Sequence, residues 1–269
     1  MLPMPLTAHA AGFLASDGVR LAYQDMGAGT PVLIFVPGWT MPSSIWKPQL
    51  DYFARTHRVI AFDPRGQGES DIAAQGYTPE RRAQDIAELI AATGADRPVI
   101  VGWSLAVLEA LAYVKLHGDD HYAALVLVDN SVGEEPPPVS KFDIIAALRT
   151  DRERTVHAFV AGMFKTRQSS AYLKGLERAS LRMPLADCIS LLSYPWPRTE
   201  WRDALYATRR PVLYVVTPQF AAQAANVSRK RPDITTEVVR DAGHALFVDR
   251  PDRFNALLER FLLQLDTPR

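Results

Sequence analysis

Short apolar runs alternate with longer stretches of helical spacing along this 269-residue chain, and that alternation restricts the fold more than any other feature. "PVLIFV" (31–36) is continuously apolar and reads as a buried strand. "RVIAFD" (58–63), "PVIVG" (98–102), "ALVLVD" (124–129), "PVLYVV" (211–216) and "TTEVV" (235–239) read as further strands. Helical patterns lie between them at 79–93 and 105–117, and a last one at 251–264 opens on Pro251 with Phe254, Leu257, Leu258 and Phe261 at helical spacing. Strands alternating with helices imply an α/β protein whose mostly parallel sheet is flanked by helices on both faces. "GFLASDGVRLAYQDMG" turns at Asp17-Gly18 between two alternating segments, so a hairpin adds antiparallel strands at one edge.

The alternation stops once. From about 133 to 210 there is no strand pattern, only "GEEPPP", helical patterns over 141–165 and 168–193, and the aromatic-rich "SYPWPRTEW". This divides the chain into an α/β core (1–132 and 211–269) and a helical cap (133–210) lying over one edge of the sheet.

Composition narrows the function. Hydrophobic residues make up 48% and charged residues 22%, as expected of a soluble protein with a substantial core. The net charge is zero, so no basic excess exists to bind a phosphate backbone, and nucleic acid is not expected as a partner. The single cysteine, Cys188, permits neither an internal disulfide nor a cysteine metal cluster, which fits a cytoplasmic protein and equally a cysteine-poor periplasmic one. No apolar run reaches the ~20 residues that span a bilayer, so no membrane partner is expected. The N-terminal "MLPMPLTAHAAG" reads as a poorly ordered leader, with a signal-peptide remnant as the alternative.

The chemistry centres on "VGWSLA" (101–106). Ser104 falls between a strand and a helix, with Gly102 and Ala106 as small neighbours. A tight turn there would push the hydroxyl clear of the sheet above the helix N-terminus, as in a nucleophile elbow. Serine is also a good helix N-cap, and the frame alone does not separate the two readings. A serine nucleophile needs a base. Of six histidines, His244 in "DAGHALFVDRP" follows the last strand and belongs at the carboxyl ends of the strands, where Ser104 also sits. An oxyanion needs backbone N–H donors, and those of Trp39, in the glycine turn after 31–36, and of Leu105 are the natural pair.

Four landmarks in order, "PGW" (37–39), "DPRGQGES" (63–70), "GWSLA" (102–106) and "DAGHALFVDRP" (241–251), give the chain a resemblance to the α/β-hydrolase fold over almost its full length. The resemblance makes 63–70 a structural turn shaped by Arg65 and Gly66 rather than a catalytic element. Three departures stand out. Pro37 replaces the usual histidine before the oxyanion glycine, and Ala106 replaces the last elbow glycine. The loop after the penultimate strand, where the family commonly places the triad acid, reads "TPQFAAQAANVSRKRPD" and has no carboxylate until Asp233. Asp129, ending the strand after the elbow helix, is then the candidate acid, at an alternative site used by some members, with a loop-capping aspartate in "DNS" as the other reading; Asp241 and Asp249 are fallbacks.

By this resemblance the chain is expected to be a carboxylic ester hydrolase with a Ser104–His244–Asp129 triad working through an acyl-enzyme, with lactonase, thioesterase, perhydrolase and carbon–carbon hydrolase activities left open; the apolar character of the candidate pocket suits a small to medium, mainly apolar ester. No metal or organic cofactor is implied. Trp39, Met41, Trp103, Phe164, Leu192, Tyr194 and Trp196 are candidate pocket residues. The partner is a small-molecule substrate, and self-association into a homo-oligomer stays open. Two other classes share the fold: a cofactor-independent dioxygenase using His244 and Asp129 as base, and a ligand-binding protein that keeps the triad without turnover.

Overall fold

A computed structural model describes residues 9–139 and 142–265. Among these residues eight strands form one sheet: β1 (His9–Leu14), β2 (Arg20–Met26), β3 (Leu33–Val36), β4 (Val59–Asp63), β5 (Val99–Trp103), β6 (Ala124–Val128), β7 (Val212–Val216) and β8 (Thr235–Val238). Their order is β1-β2-β4-β3-β5-β6-β7-β8. Pairing is parallel from β4 through β8, and β2 runs antiparallel to both of its neighbours. The hairpin turns at Gly18, whose φ of +82° only glycine adopts without strain. The expected leader overlaps β1: Ala10, Ala11 and Gly12 pair with Gln24, Tyr23 and Ala22, because a sheet edge offers their backbone partners. Residues 1–8, and with them most of that segment, lie outside the described residues.

The helices are α1 (Lys47–Phe53), α2 (Pro79–Thr93), α3 (Leu105–His117), α4 (Ile144–Thr150), α5 (Arg152–Gly162), α6 (Ser170–Arg182), α7 (Leu185–Leu192), α8 (Arg198–Ala207), α9 (Ala221–Lys230), α10 (Leu246–Asp249) and α11 (Pro251–Leu265). The apolar strands serve two cores, because successive side chains point to opposite faces. Leu33, Phe35, Val99, Val101, Val126 and Val128 pack with α1, α10 and α11. Ile34, Val36, Ile100, Leu125 and Leu127 pack with α2, α3, α8 and α9.

Between β6 and β7 the two helical patterns become four helices. Asp151 ends α4 and caps α5, its side chain accepting the Arg154 N–H at 3.0 Å. Pro184 forces Met183 into extended backbone (ψ 136°) and separates α6 from α7. Helices α4–α7 join the first core through Leu148, Val160, Leu176 and Leu191, while α8 joins the second through Trp201, Ala204 and Leu205. Four helices escape the sequence reading, the short α1 and α10 among them. Helix α8 starts inside "SYPWPRTEW" just after Pro197, and α9 occupies most of the stretch read as a loop after β7, burying Gln223, Ala224 and Val227 on one face. Among the described residues no helix is long and apolar enough to cross a membrane.

Candidate active site

Strand β5 and helix α3 meet at Ser104, and the junction is strained. Ser104 has φ 56° and ψ −120°, a conformation that costs a non-glycine residue about 1–3 kcal/mol. The turn is tight enough that a Cβ on Gly102 would come within 2.6 Å of the Ala106 carbonyl. The Ser104 hydroxyl makes no capping bond to α3. It instead lies 2.8 Å from His244 Nε2. The N-cap alternative is thereby removed, and the geometry is that of an elbow.

His244 arrives from the loop between β8 and α10. Gly243 permits this, because a Cβ there would come within 2.7 Å of the Met163 carbonyl. The other imidazole nitrogen, Nδ1, is 2.8 Å from Asp129 Oδ2. Asp129 follows β6 with φ 49°, in the left-handed region that aspartate tolerates better than most residues. Its side chain is 1% exposed, and Oδ1 accepts the Thr217 N–H at 2.6 Å. The loop after β7 therefore contributes a backbone donor to the carboxylate held on the loop after β6. A carboxylate fixed on both oxygens selects the tautomer with Nδ1–H, leaving Nε2 as the acceptor facing Ser104.

The two fallback carboxylates are engaged elsewhere. Asp249 accepts the N–H groups of Gly243 (2.7 Å), Lys165 (2.7 Å) and Thr166 (3.0 Å), so it shapes the histidine loop without touching the ring. Asp241 pairs with Arg250 and Arg253, and Asp233 with Arg231.

Ser104 opens into a cavity of about 290 Å³ lined by Trp39, Leu105, Leu108, Asn130, Ile144, Phe159, Leu191, Leu192, Tyr194 and Trp201. A neighbouring cavity of about 510 Å³ is bordered by His244, Phe142, Met163, Gln219 and Phe220, and shares Ile144 and Phe159 with the first. A larger cleft of about 850 Å³, between α6 and the Gly68–Glu69 turn, has none of the three triad candidates in its lining. Of the expected pocket residues, Trp39, Leu192 and Tyr194 line the Ser104 cavity. Met41, Trp103, Phe164 and Trp196 line neither it nor the His244 cavity. Met41 is fully buried in the core. Trp103 lies behind the site, its indole donating to the His244 carbonyl at 2.9 Å and packing edge-on against Phe247. Trp196 stacks on Trp201 and donates to Glu80 Oε1 at 2.6 Å. Phe164 packs against Tyr172.

The apolar lining residues that the sequence reading missed, Leu108, Ile144, Phe159, Leu191 and Trp201, lie on α3, α4, α5, α7 and α8, whose inward faces the sequence pattern did not mark. Asn130 adds a polar group, donating from Nδ2 to the Ser104 carbonyl at 2.8 Å. Tyr194 donates to Glu109 Oε1 at 3.1 Å. Burial and the Glu109 carboxylate push its phenol well above the ordinary value, so it remains a hydroxyl donor. Burial likewise pushes the Cys188 thiol up, away from the reactive thiolate.

Residues 33–257 match the model of the alpha/beta hydrolase family. The chain belongs to that family. It is similar to a pimeloyl-[acyl-carrier protein] methyl ester esterase of Pectobacterium atrosepticum, with 28% identity covering 87% of this chain and 95% of that protein. It is also similar to a non-heme haloperoxidase of Rhodococcus erythropolis, with 38% identity over 46% of this chain and 43% of that protein, less than half the relative's length. Among solved structures, an esterase from Exiguobacterium antarcticum superposes with a TM-score of 0.81 at 22% identity, covering 95% of this chain and 100% of that one, a likeness of fold.

Proposed function

We propose that this chain is a serine hydrolase that cleaves a small to medium, mainly apolar carboxylic ester through an acyl-enzyme. The observation that carries the reading is the unbroken line from Ser104 Oγ to His244 Nε2 (2.8 Å) and from His244 Nδ1 to Asp129 Oδ2 (2.8 Å) at a strained elbow. Ser104 Oγ attacks the ester carbonyl while His244 Nε2 takes its proton, and Asp129 stabilises the imidazolium. The N–H groups of Trp39 and Leu105 receive the oxyanion; Leu105 opens α3, where helix N–H groups lack intrahelical partners and the helix dipole favours an anion. The tetrahedral adduct collapses, the C–O bond breaks, and His244 gives its proton to the departing alcohol. Water then attacks the acyl-serine, losing its proton to His244, and the acid leaves as Ser104 recovers its hydrogen.

The cavity chemistry supports the substrate class. Among the described residues, neither the Ser104 nor the His244 cavity has a Lys, Arg, Asp or Glu in its lining, so an uncharged, largely apolar substrate loses least on entry. The haloperoxidase relative motivates one variation: hydrogen peroxide in place of water would release a peroxy acid from the same acyl-enzyme.

The test is hydrolysis of p-nitrophenyl esters of increasing acyl length by the wild type and by Ser104→Ala, with hydrogen peroxide added in a parallel series. We expect wild-type turnover with an optimum at short to medium chains and a loss of about 10⁶ in kcat in the variant, the scale for removing a triad nucleophile. Equal turnover by the two proteins, or none by the wild type, would remove the reading.

A further inference from the structure

The acyl-transfer scheme leaves a buried charge pair and the amide beside it without a role. Arg82 and Glu109 are each 1% exposed and Gln67 is 0% exposed. Arg82 Nε donates to Glu109 Oε1 at 2.7 Å, and its terminal nitrogens reach Gln67 Oε1 at 2.8 Å and the Arg65 carbonyl at 3.1 Å. From the other end of its amide, Gln67 Nε2 donates to the carbonyls of Gly38 (2.9 Å) and Met41 (2.7 Å). Those carbonyls belong to the glycine turn that carries Trp39.

We propose that Gln67 is a positioning residue: it aims the Trp39 N–H at the oxyanion by holding the Gly38 carbonyl from behind. The inference rests on the acyl-transfer reading above.

The orientation of the Gln67 amide follows from its partners. A guanidinium only donates, so Oε1 must face Arg82; carbonyls only accept, so Nε2 must face the turn. The Gly38 carbonyl also accepts the Met41 N–H at 3.2 Å, which occupies both of its lone pairs. In a trans peptide the C=O and the following N–H point in opposite directions. Anchoring the Gly38 oxygen towards Gln67 therefore turns the Trp39 N–H away from Gln67. Gly38 abuts the nucleophile, since a Cβ on it would meet Ser104 Cβ at 2.8 Å, and Trp39 lines the Ser104 cavity.

Gln67 itself has little room to move. It sits between Gly66 (φ +76°) and Gly68 (φ +50°), and the Asp63 carboxylate takes the Ser43 N–H at 2.7 Å and the Glu69 N–H at 3.0 Å on either side of that turn. The network begins in the cavity wall, where the Tyr194 hydroxyl donates to Glu109. A donor held in place before the reaction costs no reorganisation when charge develops, so the Gln67 bond should matter in the transition state and not in ester binding.

The experiment compares the wild type, Ser104→Ala, Gln67→Met and Gln67→Glu on the best p-nitrophenyl ester. Inhibition is measured with a trifluoromethyl ketone, which forms an oxyanionic adduct with the serine, and with the matching methyl ketone, which binds as a neutral carbonyl. Gln67→Met removes the donor, and Gln67→Glu removes it while keeping the bond to Arg82, which guards against a folding failure in the first variant. We expect kcat to fall by about 10- to 100-fold, less than the loss for deleting an oxyanion donor outright. KM should stay within about twofold, and trifluoromethyl ketone affinity should fall with kcat while methyl ketone affinity holds. A kcat within twofold of wild type in a folded variant, or equal losses with both ketones, overturns the proposal. So does failure of both variants to fold, which would make Gln67 a stability residue. A wild type that Ser104→Ala does not impair overturns the acyl-transfer reading instead.

Discussion

Below the Ser104 hydroxyl, all five residues of β5 are buried; above it, α5 buries only Thr155, Val156 and Val160 of its eleven residues. The two walls of one cavity are therefore made differently. The floor is the mostly parallel sheet with the helices that cover it, its polar groups locked by buried partners such as Arg82–Glu109 between α2 and α3 and Asp129–Thr217 between the loops after β6 and β7. The roof, α4–α7, buries a smaller share of its residues; it meets the floor through its part in the first core, the Trp39 indole on the Cys188 carbonyl (2.7 Å), Thr40 on Ser180 (2.7 Å), Arg182 on the Ser70 carbonyl (2.7 Å) and Phe159 edge-on to Trp39. Close packing resists displacement, whereas half-exposed helices with few buried contacts open at lower cost. On the proposed function, this difference amounts to a division of labour that the following experiments test: bond-making geometry in the floor and substrate choice in the roof.

The largest effect should come from the floor. Asp129→Asn preserves shape, yet an amide that turns its NH₂ towards the ring favours the wrong imidazole tautomer. We expect kcat to fall by about 10⁴, the loss seen when a triad aspartate becomes asparagine, with little change in KM. Steady-state kinetics on the best p-nitrophenyl ester decide it, and a variant near wild type would break the comparison, since Asp129 is the most deeply buried member of the three.

A smaller effect should come from the roof. Phe159 is half-buried and is shared by the Ser104 and His244 cavities. Phe159→Ala would join the two spaces without touching Ser104, His244 or Asp129. The preferred acyl chain should lengthen, with the ratio of kcat/KM for long over short esters rising about 10-fold, the scale of a methylene or two in an apolar pocket. If short-ester kcat fell as far as in Asp129→Asn, the roof would be part of the bond-making geometry after all.

The same division explains what the sequence revealed. Buried parallel strands must be continuously apolar, so β3, β5, β6 and β7 stand out, and the elbow announces itself because only a tiny residue fits at 102. Asp129 could be singled out because the loop after β7 carries no acid before Asp233, and the structure puts Asp129 beside His244. The roof gives no such signal. Aromatic residues look alike in sequence whether they line a cavity or fill a core, so Trp103, Trp196 and Tyr194 could not be sorted, and only Tyr194 lines the cavity. Helix α8 was hidden by its proline-flanked aromatic start, and α9 by a polar composition whose short buried face reads as loop.

The smallest effect at neutral pH concerns the seam where the chain leaves the floor for the roof. Glu134, just after β6, is buried; Lys230 on α9 holds both of its oxygens (2.8 and 2.9 Å), and the Tyr206 hydroxyl on α8 donates to it. Burial pushes this carboxyl up, but Lys230, Tyr206 and the Glu135 N–H outweigh it and bring it from 4.5 down to about 2. A folded-state value below the unfolded one means that the stabilisation is complete above pH 4.5 and is lost as pH falls towards 2. Thermal melting of the wild type and of Glu134→Gln between pH 7 and pH 2 isolates this contribution. The wild type should melt higher at neutral pH, and its margin should shrink only below about pH 4.5. Because the clamp ties β6 to α8 and α9 and not to α4–α7, neutral-pH kcat and chain-length preference should be the same in both proteins. A changed chain-length preference in Glu134→Gln would show that the seam transmits to the roof, and the two walls would have to be treated as one coupled unit.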